Sequence, residues 1–95
     1  MPKQLIICID YDGTFTEIPD LLTQLITSAQ EAGHRVICAT LRYKSEGAEV
    51  TNAIGRLCEV IFTGRKAKGS YLSKMGIVPD IWIDNEPFWI YKDSS

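Results

Sequence analysis

Apolar residues fall along this chain in two rhythms. Leu5-Ile6-Ile7-Cys8-Ile9 is unbroken, too short for a helix and rich in β-branched side chains, so it predicts a fully buried strand. From Ile18 to Ala32 the spacing changes. Ile18, Leu21, Leu22, Leu25, Ile26, Ala29 and Ala32 form an i, i+3, i+4, i+7 stripe, which predicts an amphipathic helix. Pro19 suits its first turn, Asp20 complements the dipole there, and Gly33 ends it. Arg35 to Ala39 is a second buried strand, ending at Thr40. Ser45 to Cys58 is a second helix through Ala48, Val50, Ala53, Ile54 and Leu57, weakened by Gly55. Val60-Ile61-Phe62 is a third strand. Ala67 to Met75 is a third helix, stopped by Gly76. Ile81-Trp82-Ile83 is a fourth strand, ending at Asp84. Phe88 to Tyr91 is an aromatic tail, read as a short edge strand.

Strands alternating with helices argue an α/β fold with a parallel sheet. Right-handed crossovers would then set the strand ends on one rim. Asp10, Asp12, Thr40, Thr63 and Asp84 all fall at or just after such ends. The 95 residues form one domain, 1–95, with no repeat, linker or low-complexity tract. A net charge of −2 gives no global field toward nucleic acid or a membrane. No apolar run approaches the ~20 residues that span a bilayer. Met1-Pro2-Lys3-Gln4 and the short run after it lack a leader-peptide pattern. The three cysteines, Cys8, Cys38 and Cys58, form no CxxC pair and read as reduced, buried thiols of a cytoplasmic protein.

The chemistry concentrates in Asp10-Tyr11-Asp12-Gly13-Thr14, directly after the first strand. In an open parallel sheet, ligands bind at this end of a strand. Two carboxylates placed there repel each other unless a cation is near, so the pattern asks for Mg²⁺ and an anionic substrate. Asp-x-Asp-Gly-Thr in this context resembles the first motif of the haloacid dehalogenase (HAD) superfamily of phosphotransferases. The resemblance runs from Leu5 to about Trp89. It implies a Rossmann-like three-layer sandwich with a mainly parallel sheet, the minimal capless core of that superfamily. It also implies a Mg²⁺-dependent phosphomonoester hydrolase working through an aspartyl-phosphate, since a carboxylate can split one hard displacement into two.

Position by position, the resemblance makes Asp10 the nucleophile and Asp12 the general acid and base. It makes Asp10, Asp84 and the Asp12 carbonyl the metal ligands. Thr40 matches the hydroxyl that bonds the phosphoryl oxygens, Gly13 lies in the phosphate-binding turn, and Arg42 can face the same rim. The required Lys is Lys68 or Lys66, with Lys68 favoured. The fourth motif departs from the usual pattern: Asn85 stands where relatives carry a second Asp, and Phe88 where a further Asp is common. Asn85 still offers an oxygen, without charge. Gly64 and Gly69-Ser70 imitate part of a phosphate loop, but its Lys is missing.

Neither Asp12 to Thr40 nor Thr40 to Lys66 is long enough to hold an inserted cap. The resemblance therefore implies an open site suited to a large or polymeric phosphorylated substrate. Arg65-Lys66-Lys68 could attract a nucleic-acid backbone. One catalytic Lys with solvated neighbours is the simpler account. Phe88-Trp89-Ile90-Tyr91 either caps the core or offers an apolar face for a homo-oligomer. His34, beside Gly33, has no catalytic assignment. Two rivals stand beside the hydrolase. One is a catalytically weak or inactive binding or regulatory domain, motivated by Asn85 and Phe88. The other is a receiver-like domain phosphorylated on Asp, which the order of the acidic residues fits less well.

Overall fold

The computed structural model describes residues 3–94. Met1 and Pro2, the start of the stretch read as lacking a leader pattern, lie outside the described residues, as does Ser95. Four strands form one sheet: β1 (Ile6–Ile9), β2 (Arg35–Thr40), β3 (Glu59–Phe62) and β4 (Ile81–Ile83). The order is β3-β2-β1-β4 and every pairing is parallel, so the mainly parallel sheet expected is wholly parallel among the described residues. Helices α1 (Pro19–Glu31), α2 (Ala48–Ile54) and α3 (Lys68–Lys74) follow the first three strands, and a single turn, α4 (Phe88–Tyr91), follows the fourth.

The period of two along each strand sorts the core into two halves. Ile7, Ile9, Val36 and Cys38 face one way and pack with Leu22 and Ile26 of α1 and Val50 and Ile54 of α2. Cys8, Ile37, Ala39 and Ile61 face the other way and pack with Leu72 of α3 and with Ile77. The sheet is thus covered on both faces, which explains why its central strands are apolar throughout. Gly76, at φ +78°, lets α3 reverse at once. Gly76 N–H donates to Ser73 C=O and Ile77 N–H to Leu72 C=O, both at 2.9 Å, and Ile77 folds back onto Leu72.

Two elements differ from the sequence expectation. The helix expected over Ser45–Cys58 is a 3-10 turn, Lys44–Glu46, followed by the shorter α2. Gly47 separates them and lies against the Phe62 ring, where a Cβ would come within 2.3 Å. The expected edge strand at Phe88–Tyr91 is helical. Pro87 enters with φ −63°, and Ile90 N–H donates to Pro87 C=O at 3.0 Å. Ile90 is 3 % exposed, while Phe88 and Tyr91 remain at 56 % and 81 %. The segment is therefore divided between core and surface. All three thiols are buried and free. Among the described residues, no helix is long and apolar enough to cross a membrane.

Candidate active site at the carboxyl rim of the sheet

Strand order creates the site. The chain moves outward from β1 to β2 and β3, then returns to β4 on the other side of β1. The crevice at such a reversal is where open α/β sheets bind ligands. Ile9 is in register with Ile83, and Asp10 N–H donates to Ile83 C=O at 2.9 Å. Asp10 and Asp84 therefore stand side by side, one step beyond the paired strands. Both continue the face that carries Cys8 and Trp82, the face covered by α3.

Lys68, the first residue of α3, answers that pair of charges. Its Nζ donates to Asp10 Oδ1 and to Asp84 Oδ2, each at 2.7 Å. Its side chain is 2 % exposed, against 10 % for Asp10 and 3 % for Asp84. Burial works against the lysine's charge, yet Asp10 and Asp84 outweigh it and hold its pKa above the ordinary value. Burial pushes the Asp10 carboxyl up, and the Lys68 charge only partly pulls it back. Beneath them, burial pushes the Cys8 thiol up to about 12, so it stays protonated and unreactive.

The turn after β1, Tyr11–Phe15, carries the other half of the site. Gly13 has φ +83°, and a Cβ there would lie 2.5 Å from Asn85 Nδ2, so two constraints select glycine. Thr14 Oγ1 donates to Asp10 Oδ2 at 3.2 Å and accepts from Asn85 N–H at 3.0 Å. Tyr11 and Phe15 are buried and stacked, with ring centroids 6.0 Å apart, and anchor the turn in the core.

Asp12 is directed elsewhere. Its carboxylate accepts two bonds from Arg42, from Nε at 2.9 Å and Nη2 at 2.7 Å. Arg42 also pairs with Glu49, donates to Glu46 C=O at 2.9 Å, and lies over the Tyr11 ring. Its hydrogen bonds to Asp12, then to Glu49, raise its pKa further. Thr40 is 1 % exposed, and its Oγ1 accepts from Arg42 N–H at 3.3 Å.

Asp10, Asp12, Thr40, Lys68 and Asp84 meet around one cavity of about 180 Å³, walled further by Leu41, Asn85, Glu86 and Trp89. Gly13 shapes its edge through Asn85, and Arg42 borders it through Asp12. The structure does not bring Lys66 there. Lys66 is exposed beside two other grooves, and its carbonyl accepts from Thr63 Oγ1 at 2.8 Å. Thr63, noted in sequence as a strand-end hydroxyl, thus shapes the loop before α3. His34 is also structural: its Nδ1 accepts from Leu5 N–H at 3.0 Å.

Three contributors carried no assignment in the sequence reading. Thr14 was visible as the last residue of the motif. Trp89 was visible only as an aromatic, and its Nε1–H donates to Glu86 Oε2 at 2.9 Å. Asp93 gave no signal, yet its Oδ1 accepts from Ala67 N–H at 2.7 Å and secures the entry to α3.

Among the described residues, no three His, Cys, Asp or Glu side chains converge to hold a metal ion. Asp84 is engaged by Lys68 and by Glu86 N–H, and Asp12 by Arg42. A different oxygen set does converge. The end of the Asn85 amide lies 2.9 Å from Asp10 Oδ2, 3.2 Å from the Asp12 carbonyl and 3.1 Å from Thr14 Oγ1. With nitrogen inward, Asn85 donates to all three and the cluster needs no ion. With oxygen inward, Asp10, the Asp12 carbonyl and Asn85 present the hard oxygen donors that Mg²⁺ takes. The residues present offer such an ion the Asp10 carboxylate, the Asp12 carbonyl and the Asn85 amide, with Asp84 beside Asp10 and both carboxylates engaged by Lys68.

No protein-family model matches the chain, and searches of curated proteins and of solved structures give no match.

Proposed function

We infer that this chain is a minimal capless HAD-like phosphatase, hydrolysing phosphomonoesters through an aspartyl-phosphate on Asp10. One observation carries the reading: a buried Lys68 holds Asp10 at 2.7 Å on the floor of an open cavity at the strand reversal. A carboxylate held this way is oriented through both oxygens, Oδ1 by Lys68 and Oδ2 by Thr14.

In the first half-reaction Asp12 enters as the carboxylic acid, released from Arg42; Asp10 attacks phosphorus, the bond to the ester oxygen breaks, and that oxygen takes the proton from Asp12. In the second, Asp12 removes a proton from water, the water oxygen attacks the same phosphorus, and the acyl-phosphate P–O bond breaks. Phosphate leaves, and Asp10 is a carboxylate again. Lys68 offsets charge on the phosphoryl oxygens, where stabilisation matters more than covalent help. Thr40 offers them a hydroxyl. Arg42 governs when Asp12 is free to take part. Asp10, the Asp12 carbonyl and Asn85 would hold Mg²⁺, which when bound supplies positive charge against the incoming phosphate. Among the described residues no inserted segment covers the mouth, which suits a substrate larger than the cavity. The free, buried thiols accord with a reducing, cytoplasmic setting.

The test is Mg²⁺-dependent hydrolysis of an aryl phosphate by the wild type and by Asp10→Asn. Turnover that falls to background in the variant is expected. Turnover that survives it refutes the assigned chemistry. A second reading, a regulatory domain without turnover, is favoured by Asn85, whose amide can satisfy the acidic cluster with no ion. Unchanged thermal stability on adding Mg²⁺, with no turnover, would select it.

A further inference from the structure

The phosphate chemistry leaves one side of the cavity unused. Leu41 and Trp89, both half-buried, supply its apolar wall. Two contacts hold the Trp89 indole, and its neighbour anchors the turn that carries it. Ile90, the next residue, is 3 % exposed and pins the turn to the core. Phe88 meets the indole edge-on, with centroids 5.0 Å apart and planes at 73°. The indole N–H is already spent on Glu86, at 2.9 Å. Trp89 thus lines the cavity with its indole N–H already engaged.

That combination selects a leaving group. A flat unsaturated ring gains contact with the indole without needing a hydrogen-bond partner from it. A second anionic group would meet the carboxylates of Asp12 and Glu86, which share the cavity lining. An apolar cavity of ~150 Å³ takes up one benzene ring. About 180 Å³ therefore admits a phosphoryl group and part of one ring, with the remainder of a larger molecule outside.

We propose that Trp89, together with Leu41, forms a leaving-group subsite that selects phosphomonoesters of uncharged, planar aromatic groups. The proposal rests on the phosphatase reading and names the substrate class of that same site. Phenylphosphonate and methylphosphonate test it, because their C–P bonds resist hydrolysis and binding is read without turnover. Isothermal titration in Mg²⁺ buffer should show the wild type preferring phenylphosphonate by about tenfold, combining ring burial and stacking. Trp89→Leu should lower that ratio by about fivefold, and Trp89→Phe should retain most of it. Equal binding of both phosphonates by the wild type overturns the subsite alone. So does a ratio that Trp89→Leu leaves unchanged. Binding of neither phosphonate overturns the phosphate site itself and the subsite with it.

Discussion

Replacing Lys68 by Met removes the cation that joins Asp10 to Asp84 while keeping most of its volume. Two neighbouring carboxylates are then left on the floor of the site with no ammonium. Removing one partner of a buried ion pair costs about 3–5 kcal/mol. A chain of 95 residues has a total stability of roughly 5–14 kcal/mol at ~0.05–0.15 kcal/mol per residue, so the loss is a large share of it. With a urea slope of ~1.5 kcal/mol/M, a loss of ~4 kcal/mol lowers the unfolding midpoint by about 2.7 M. The sign of the pH effect follows from the two shifts. Lys68 has a raised folded value, so its contribution is complete below the unfolded value of ~10.4 and is lost as pH rises through the folded one. The wild type keeps it between about pH 5 and 8. In the variant, Asp10 loses the charge that pulled its carboxyl down, and its folded value climbs further above the unfolded ~3.9. Protonation then favours the folded state, so the variant regains stability as pH falls and loses it as pH rises. Urea unfolding followed by far-UV circular dichroism, at about pH 5 and 8 with EDTA, reads both effects. A deficit under ~1 kcal/mol at the higher pH, or one that does not change with pH, refutes the argument. Lys68→Met with Asp84→Asn removes one of the stranded charges and should recover part of the loss, by about 1–3 kcal/mol of coupling.

Three further outcomes are expected. Gly13→Ala places a side chain at φ +83° and crowds the Asn85 terminus, so it should cost about 1–2 kcal/mol in urea unfolding; no change would mean the turn relaxes freely. Asn85→Asp sets a third carboxylate beside Asp10, lowering the melting temperature in EDTA and enlarging the rise on adding Mg²⁺; equal Mg²⁺ responses in variant and wild type would remove Asn85 from the proposed ligand set. Ile90→Ala empties a site that is 3 % exposed and should cost about 2–3 kcal/mol, the low end for Ile→Ala because one turn can settle; its melting temperature checks this, and a wild-type value would show that α4 is not anchored there.

The strands were readable because burial on both faces leaves an apolar signature that no partner has to complete. Ile6–Ile9 and Ile81–Ile83 lie within the runs expected of them. The elements that escaped depend on contacts distant in sequence. Gly47 divides the second helix because the Phe62 ring occupies the space beside it, and no local propensity encodes that approach. Phe88 to Tyr91 has strand-like composition, but Pro87 supplies no N–H to a ladder and its φ suits a helical turn. Ile90 then packs so close to Gly69 that a Cβ there would come within 2.9 Å of the Ile90 carbonyl. Gly47 and Gly69 thus share one property: each lacks a side chain where a group from another element, the Phe62 ring or the Ile90 carbonyl, comes close.

The rim shows the same boundary between what strand ends declare and what the fold arranges. Asp10 and Asp84 follow apolar runs directly, so their positions were legible. The geometry of the lysine was not. Gly64 and Arg65 adopt φ +59° and +72°, a turn that rotates the chain between β3 and α3. Arg65 N–H donates to Leu41 C=O at 2.7 Å, and Asp93 receives the Ala67 N–H. This bracing directs Lys68 inward and leaves Lys66 in solvent, although both are lysines two positions apart. A left-handed arginine is costly enough to require outside support. The Arg65 guanidinium pairs with Glu46 at 3.2 Å and lies 5.3 Å over the Tyr43 ring; Tyr43 precedes and Glu46 ends the 3-10 turn found where the helix was expected to begin. The interruption at Gly47 and the inward lysine are therefore linked: an unbroken helix over Ser45–Cys58 would lack the turn in which Tyr43 N–H donates to the Glu46 carboxylate at 2.8 Å. Without that carboxylate and the Tyr43 ring in place, Arg65 would lose the partners that hold its backbone, and the entry of Lys68 would be less constrained.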